Sequence, residues 1–285
     1  AGVSAAQAVH LWNSAFIEKG TAAPVGDTFR WDASQGFVGG ELYVDRATSG
    51  NSCSNVFAND ANYTMVQDGT CTAKNTAQLA VFDYVSTTPL LVLNDDTIAA
   101  GQGFGMHPHR DMEIITVMVE GQINHQDSMG HAEVLRAGEV QRMSAGTGIV
   151  HSEMNKGQSP CRLLQIWIEP VHKGLEPSYE QRHIEVGKAW TPLLNPDPSQ
   201  GAMAIDRPVR LWRAQPKQGQ ELILPAESGD TLWLQLINGS VQLEGIDGDA
   251  PDALHCGDGL GLRNQRSWAL RSQTDDTDLL LFSLA

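Results

Sequence analysis

Beyond about residue 88 the apolar residues fall into short blocks separated by glycine turns. Glu113-Ile114-Ile115-Thr116-Val117-Met118-Val119 is one such block, entered from the glycine-rich run Gly101–Gly105. β-Branched residues at strand length, between turn signals, predict a β-strand. Ser144–Val150 is another glycine turn that enters a short strand, and Thr231–Leu236 is a further strand-like block. The pattern occurs twice. Val119–Asn124 resembles Ile237–Gln242, and Val134–Glu139 resembles Ala253–Asp258. Each copy reads as strand, turn, strand, then a Gly-acidic turn, and such duplication predicts two related β-barrels.

Residues 1–87 follow a different rhythm. Ala8, Val9, Leu11, Trp12 and Phe16 recur at helical spacing, so Ser4–Lys19 reads as a helix stopped by Gly20. Short strand-like pieces follow, such as Glu41–Val44 after Gly39-Gly40. Cys53 and Cys71 bracket a polar loop rich in Asn and Asp. The expected organisation is a small α+β segment over 1–87, a barrel over 88–172, a mixed-charge crossover over 173–208 and a second barrel over 209–285.

A chain of 285 residues is long enough for two or more domains. Its formal charge of -15 argues against direct nucleic-acid binding, which needs a basic surface. No apolar run is long enough to cross a bilayer, and Ala1–Ser4 shows no basic leader region. Four cysteines are too few for a disulfide framework, and Cys161 and Cys256 read as small buried apolar residues.

The chemistry concentrates in two tight pairs. His107-Pro108-His109 and His151-Ser152-Glu153 each place two ligand-type side chains at i and i+2. In a strand those positions share a face, so each pair aims into one cavity. Three neutral imidazoles and one carboxylate suit a divalent transition metal. The second repeat carries no such pair, so its barrel is expected to be metal-free. His131, His172 and His255 read as surface residues, and Arg110-Asp111 reads as an ion pair.

Gly101, His107, His109 and Glu113 meet the first signature motif of the cupin superfamily; Gly138, Gly146, His151 and Asn155 meet the second, with Ser144 in place of its proline and two extra residues before His151. Those departures, with His125-Gln126-Asp127-Ser128-Met129-Gly130 and the run from Val92 to Glu113, resemble the pirin family over about residues 88–285. The resemblance implies a mainly β bicupin fold with metal ligands His107, His109, His151 and Glu153. Glu113, a ligand in many other cupins, is not one in pirins. The resemblance also implies, for bacterial members, quercetin 2,3-dioxygenase activity on a polyphenol with dioxygen, and for some eukaryotic ones an iron-dependent regulatory role.

Iron(II) is the first expectation for the metal; manganese, cobalt, nickel, copper and zinc are the alternatives. Glu153 is the expected proton acceptor. Phe104, Met106, Glu113 and His125 are expected around the pocket or behind the ligands. A metal- or redox-sensing protein with a protein partner is the competing reading. A third reading starts from residues 1–87, which share the helix, small strands and Cys-bracketed loop of type IV pilin-like subunits. That likeness implies a Cys53–Cys71 disulfide in a periplasmic or extracellular setting and self-association through the segment. The pirin resemblance implies the cytoplasm.

Overall fold

A computed structural model describes residues 89–198, 201–225, 231–244, 253–262 and 268–284, together with four strands from the N-terminal segment. Those four are β1 (Ala8–Leu11), β2 (Pro24–Val25), β3 (Thr28–Trp31) and β4 (Glu41–Asp45). The expected helix over Ser4–Lys19 is not formed at its centre. Ala8–Leu11 is a strand whose antiparallel partner is Glu41–Asp45. Helical spacing there is outweighed by a ladder that a local pattern does not reveal. The strand expected at Glu41–Val44 is present.

The chain divides into two compact units, residues 90–185 with 193–208, and residues 1–89 with 186–192 and 209–285. The first holds β5 (Leu90–Ile98), β6 (Gly103–His109), β7 (Glu113–Glu120), β8 (Gln122–Asp127), β9 (Ala132–Arg136), β10 (Glu139–Ser144), β11 (Ile149–Met154), β12 (Cys161–Ile168) and β13 (Ser178–His183). They form two sheets, in the orders β5-β12-β7-β10-β13 and β6-β11-β8-β9. Apolar side chains from both sheets meet between them. Ile98, Met118, Ile123, Leu135, Cys161 and Leu163 form one cluster, and Ile114, Met143, Ala145 and Ile149 form another. Strand β7 is buried on both faces from Glu113 to Met118, which explains its nearly unbroken apolar run.

After β14 (Thr191–Leu194), the second barrel uses β15 (Val209–Ala214), β16 (Glu221–Ile223), β17 (Thr231–Asn238), β18 (Ser240–Glu244), β19 (Leu254–His255), β20 (Gly259–Leu262), β21 (Ala269–Ser272) and β22 (Asp278–Leu284). Its sheets run β15-β22-β17-β20-β3-β2 and β16-β21-β18-β19. The N-terminal strand β3 is thus paired to β20 within this barrel, with Phe29 opposite Gly261. The repeat seen in the sequence has a backbone counterpart. Gly121 and Gly239 turn the equivalent hairpins at φ 72° and 79°, and Gly138 and Gly257 follow at 84° and 87°. All four sit in the left-handed region, where glycine alone avoids a steric cost.

Candidate metal centre

Three antiparallel strands, in the order β6-β11-β8, build the site. Their register sets His107 opposite His151 and His151 opposite Asp127; one row on, Phe104 lies opposite Glu153 and Glu153 opposite His125. Between those rows β11 advances two residues while β6 advances three, so β6 carries one extra residue, a β-bulge at Gly105-Met106. In a regular strand Phe104 and His107 would face opposite ways. The bulge brings them to one side, and Phe104 packs against the core cluster of Met118 and Ile123.

The imidazole rings converge. Ring centroids are 4.4 Å apart for His107 and His151, 4.7 Å for His107 and His109, and 4.9 Å for His109 and His151. One ligand nitrogen from each lies within 4.8 Å of the other two. His107 Nδ1 sits 2.6 Å from the Gly105 carbonyl. A carbonyl only accepts, so Nδ1 carries the proton and Nε2 is left bare for a metal. His151 is 1% exposed, and neither ring nitrogen has a hydrogen-bond partner. Burial, and then the neighbouring His107, holds His109 down to about 4; burial, then His107, His109 and His125, holds His151 down to about 2. Both are neutral near pH 7, as metal binding requires.

Glu153 is 2% exposed. Its Oε1 accepts from Gln141 Nε2 at 3.2 Å and from Thr116 Oγ1 at 3.1 Å, and burial pushes its carboxyl above the usual range. It groups with His151 and His125, again within 4.8 Å, so the four expected ligands together with His125 fall into two overlapping triads that share His151, and Glu153 reaches the outer histidines only through His151. Buried, partnerless nitrogens on neutral imidazoles beside a buried carboxylate are a donor set that fits a divalent transition metal.

The remaining expected residues separate. His125 is buried at the site, its Nε2 3.2 Å from Asp127 Oδ2. Glu113 faces the other side of β7 from Thr116, because strand positions of opposite parity point to opposite faces. There its carboxylate accepts from Ser144 Oγ at 2.8 and 2.7 Å, apart from both triads. Met106 lies in the bulge and is 58% exposed, so it does not line an enclosed pocket. His131 does more than face solvent: its Nδ1 is 2.8 Å from Asp127 Oδ2. Arg110 and Asp111 do pair, at 3.5 Å. Cys161 is buried as expected, whereas Cys256 is exposed. Cys53 and Cys71 lie outside the described residues.

Sequence reasoning missed the support beneath Glu153. Asn94, Gln165, Thr116, Gln141 and Gln181 are successive cross-strand neighbours across β5-β12-β7-β10-β13. The signal was a polar residue interrupting otherwise apolar strands, as in Leu164-Gln165-Ile166. An open surface depression of about 370 Å³, lined by Pro108, Arg110, Ser128, Gly148, Ile149 and Val150, reaches His109.

Two barrels of this kind, one with converging imidazoles, define a cupin-type metal-binding protein. Residues 61–168 match the Pirin family model, and 193–284 match the quercetinase C-terminal cupin domain. A quercetin 2,3-dioxygenase of Escherichia coli K12 is 37% identical over 203 residues, 71% of this chain and 85% of the relative. The chain belongs to the pirin family. The crystal structure of the bacterial pirin YhhW from Escherichia coli in complex with nickel(II) is 30% identical, with a TM-score of 0.66 over 97% of this chain and 98% of that one. A quercetin 2,3-dioxygenase from Acinetobacter baumannii, 20% identical with a TM-score of 0.62 over 98% of this chain and 88% of its own, shares the fold. The family match opens at residue 61, inside the stretch that the motifs alone left unmatched.

Proposed function

We propose that this protein is a metal-dependent dioxygenase that opens a flavonol such as quercetin with dioxygen and releases carbon monoxide. The observation that carries the reading is the cross-strand His107–His151 pair, closed by His109 and set beside the buried Glu153. His107, His109, His151 and Glu153 would hold the ion. Iron(II) is the first expectation by family resemblance, and nickel(II) is the ion held by the Escherichia coli relative. A bound divalent metal supplies a Lewis acid that makes an enolic hydroxyl easier to ionise.

The chain's own residues supply the rest. Glu153 takes the enolic proton, as the buried carboxylate grouped with His151. Thr116 and Gln141 hold Oε1 and so fix the direction from which the proton is accepted. Ser128 and Arg110, in the open depression that reaches His109, offer polar contacts to the hydroxyls of a polyphenol. The Trp167 ring packs edge-on against that of His109, with centroids 5.0 Å apart.

Metal content and flavonol turnover, measured on one preparation beside a His107→Ala/His151→Ala variant, test the reading. The expected result is stoichiometric metal and oxygen-dependent turnover in the parent, with both lost in the variant. Full metal occupancy without turnover across a panel of polyphenols, or turnover that needs neither metal nor oxygen, overturns it.

A further inference from the structure

His151 belongs to two triads, and the deeper one has features of its own. His125, His151 and Glu153 are all buried, with one ligand atom from each within 4.8 Å of the others. His125 stands directly across the ladder from Glu153. Asp127 Oδ2 is 3.2 Å from His125 Nε2. A carboxylate of this kind accepts, so Nε2 bears the proton and the lone pair lies on Nδ1. That Nδ1 is buried and has no hydrogen-bond partner, in a side chain 2% exposed. An imidazole whose far N–H is given to a carboxylate is the common arrangement of a metal-binding histidine.

The support is itself anchored. Asp127 Oδ1 accepts from the backbone N–H groups of Met129 and His131 at 2.9 and 3.0 Å, and Tyr179 stacks on His125 at 4.7 Å. One nitrogen of His125 and both of His151 are thus buried and without a hydrogen-bond partner, in side chains grouped with the Glu153 carboxylate. A cation meets the lone-pair nitrogen of each imidazole.

We propose that His125, His151 and Glu153 form a second, inner position for a divalent transition metal, alternative to the position at His107, His109, His151 and Glu153, with which it shares His151 and Glu153. A neutral imidazole has one lone-pair nitrogen, so His151 serves one ion at a time. The chain thus binds one ion in two positions, not two ions. The inner position is independent of any dioxygenase chemistry, and flavonol turnover neither supports nor opposes it.

The test removes the outer position and counts imidazoles. A His107→Ala/His109→Ala variant is checked for native circular dichroism, loaded with copper(II) alone, freed of loosely bound ion and examined by pulsed EPR. The expected result is one copper per chain with two coordinated imidazoles, bound more weakly than in the parent. Adding His131→Ala leaves the count at two, whereas adding His125→Ala lowers it to one. One imidazole or none in the starting variant, or a count unmoved by His125→Ala, overturns the proposal. If the variant with His125→Ala fails to fold, the count in the other two decides.

Discussion

The two barrels place different residues at the same point of the same ladder. In the first, β6 and β11 set His107 opposite His151. In the second, β16 and β21 hold the equivalent sheet positions and set Leu222 opposite Leu270. Both leucines belong to an apolar cluster with Leu232, Leu234 and Leu236. Where β7 turns Thr116 towards Glu153, β17 turns Leu234 into a core. One backbone therefore serves as a ligand frame or as a hydrophobic core, depending on about two residues per strand. The leucine version gains burial energy from every inward position. The histidine version leaves nitrogens unmet until an ion arrives.

The comparison breaks most sharply if the first barrel is given the second's residues. His107→Leu/His151→Leu should abolish stoichiometric metal binding. It should also raise the stability of the metal-free chain by roughly 1–3 kcal/mol, because buried partnerless nitrogens disappear. Metal analysis and denaturant melts of metal-free protein check both halves; a variant that keeps its metal, or is less stable than the metal-free parent, contradicts the comparison. Next in size is Leu270→Ala, which should cost about 2–5 kcal/mol by opening a cavity in the second core. Metal content of the folded protein should not change.

A third variant sharpens the role of the polar row. Gln141→Leu removes one of the two donors on Glu153 Oε1. It should lower metal affinity or kcat/KM by about 10–100-fold while leaving metal stoichiometry at saturation intact. An effect confined to thermal stability would show that Gln141 only packs. The smallest effect is that of pH on the metal-free chain. His109 and His151 are held to about 4 and about 2, both below 6.5, so the unfolded chain binds more protons below pH 6.5. Metal-free stability should therefore fall as pH drops from 6.5 towards 4. A flat thermal midpoint across that window contradicts these shifts.

Much of this was legible in the chain. The i, i+2 spacing of His107 and His109, and of His151 and Glu153, places each pair on one face of a strand whatever the wider fold. The repeated glycines at 121 and 239 announce equivalent hairpins because only that residue takes the turn freely. Other features depend on partners far away in sequence. Ala8–Leu11 becomes a strand through Glu41–Asp45, so its helical spacing misled. Glu113 satisfies a motif position yet faces away from the triads, since its direction is fixed by the parity of β7. Thr116, Gln141 and Gln165 each look like a minor interruption of an apolar strand; only the ladder lines them up.

The extra residue in β6 has a consequence for how this site can change. It separates the strand into two stretches with independent phase, one carrying Phe104 into the core and one carrying His107 and His109 towards His151. Chain length here is thus a variable of coordination, on a par with residue identity. A relative shortened by one residue at Gly105-Met106 would retain every ligand in its sequence, yet could keep either its core contact or its histidine aim, and not both.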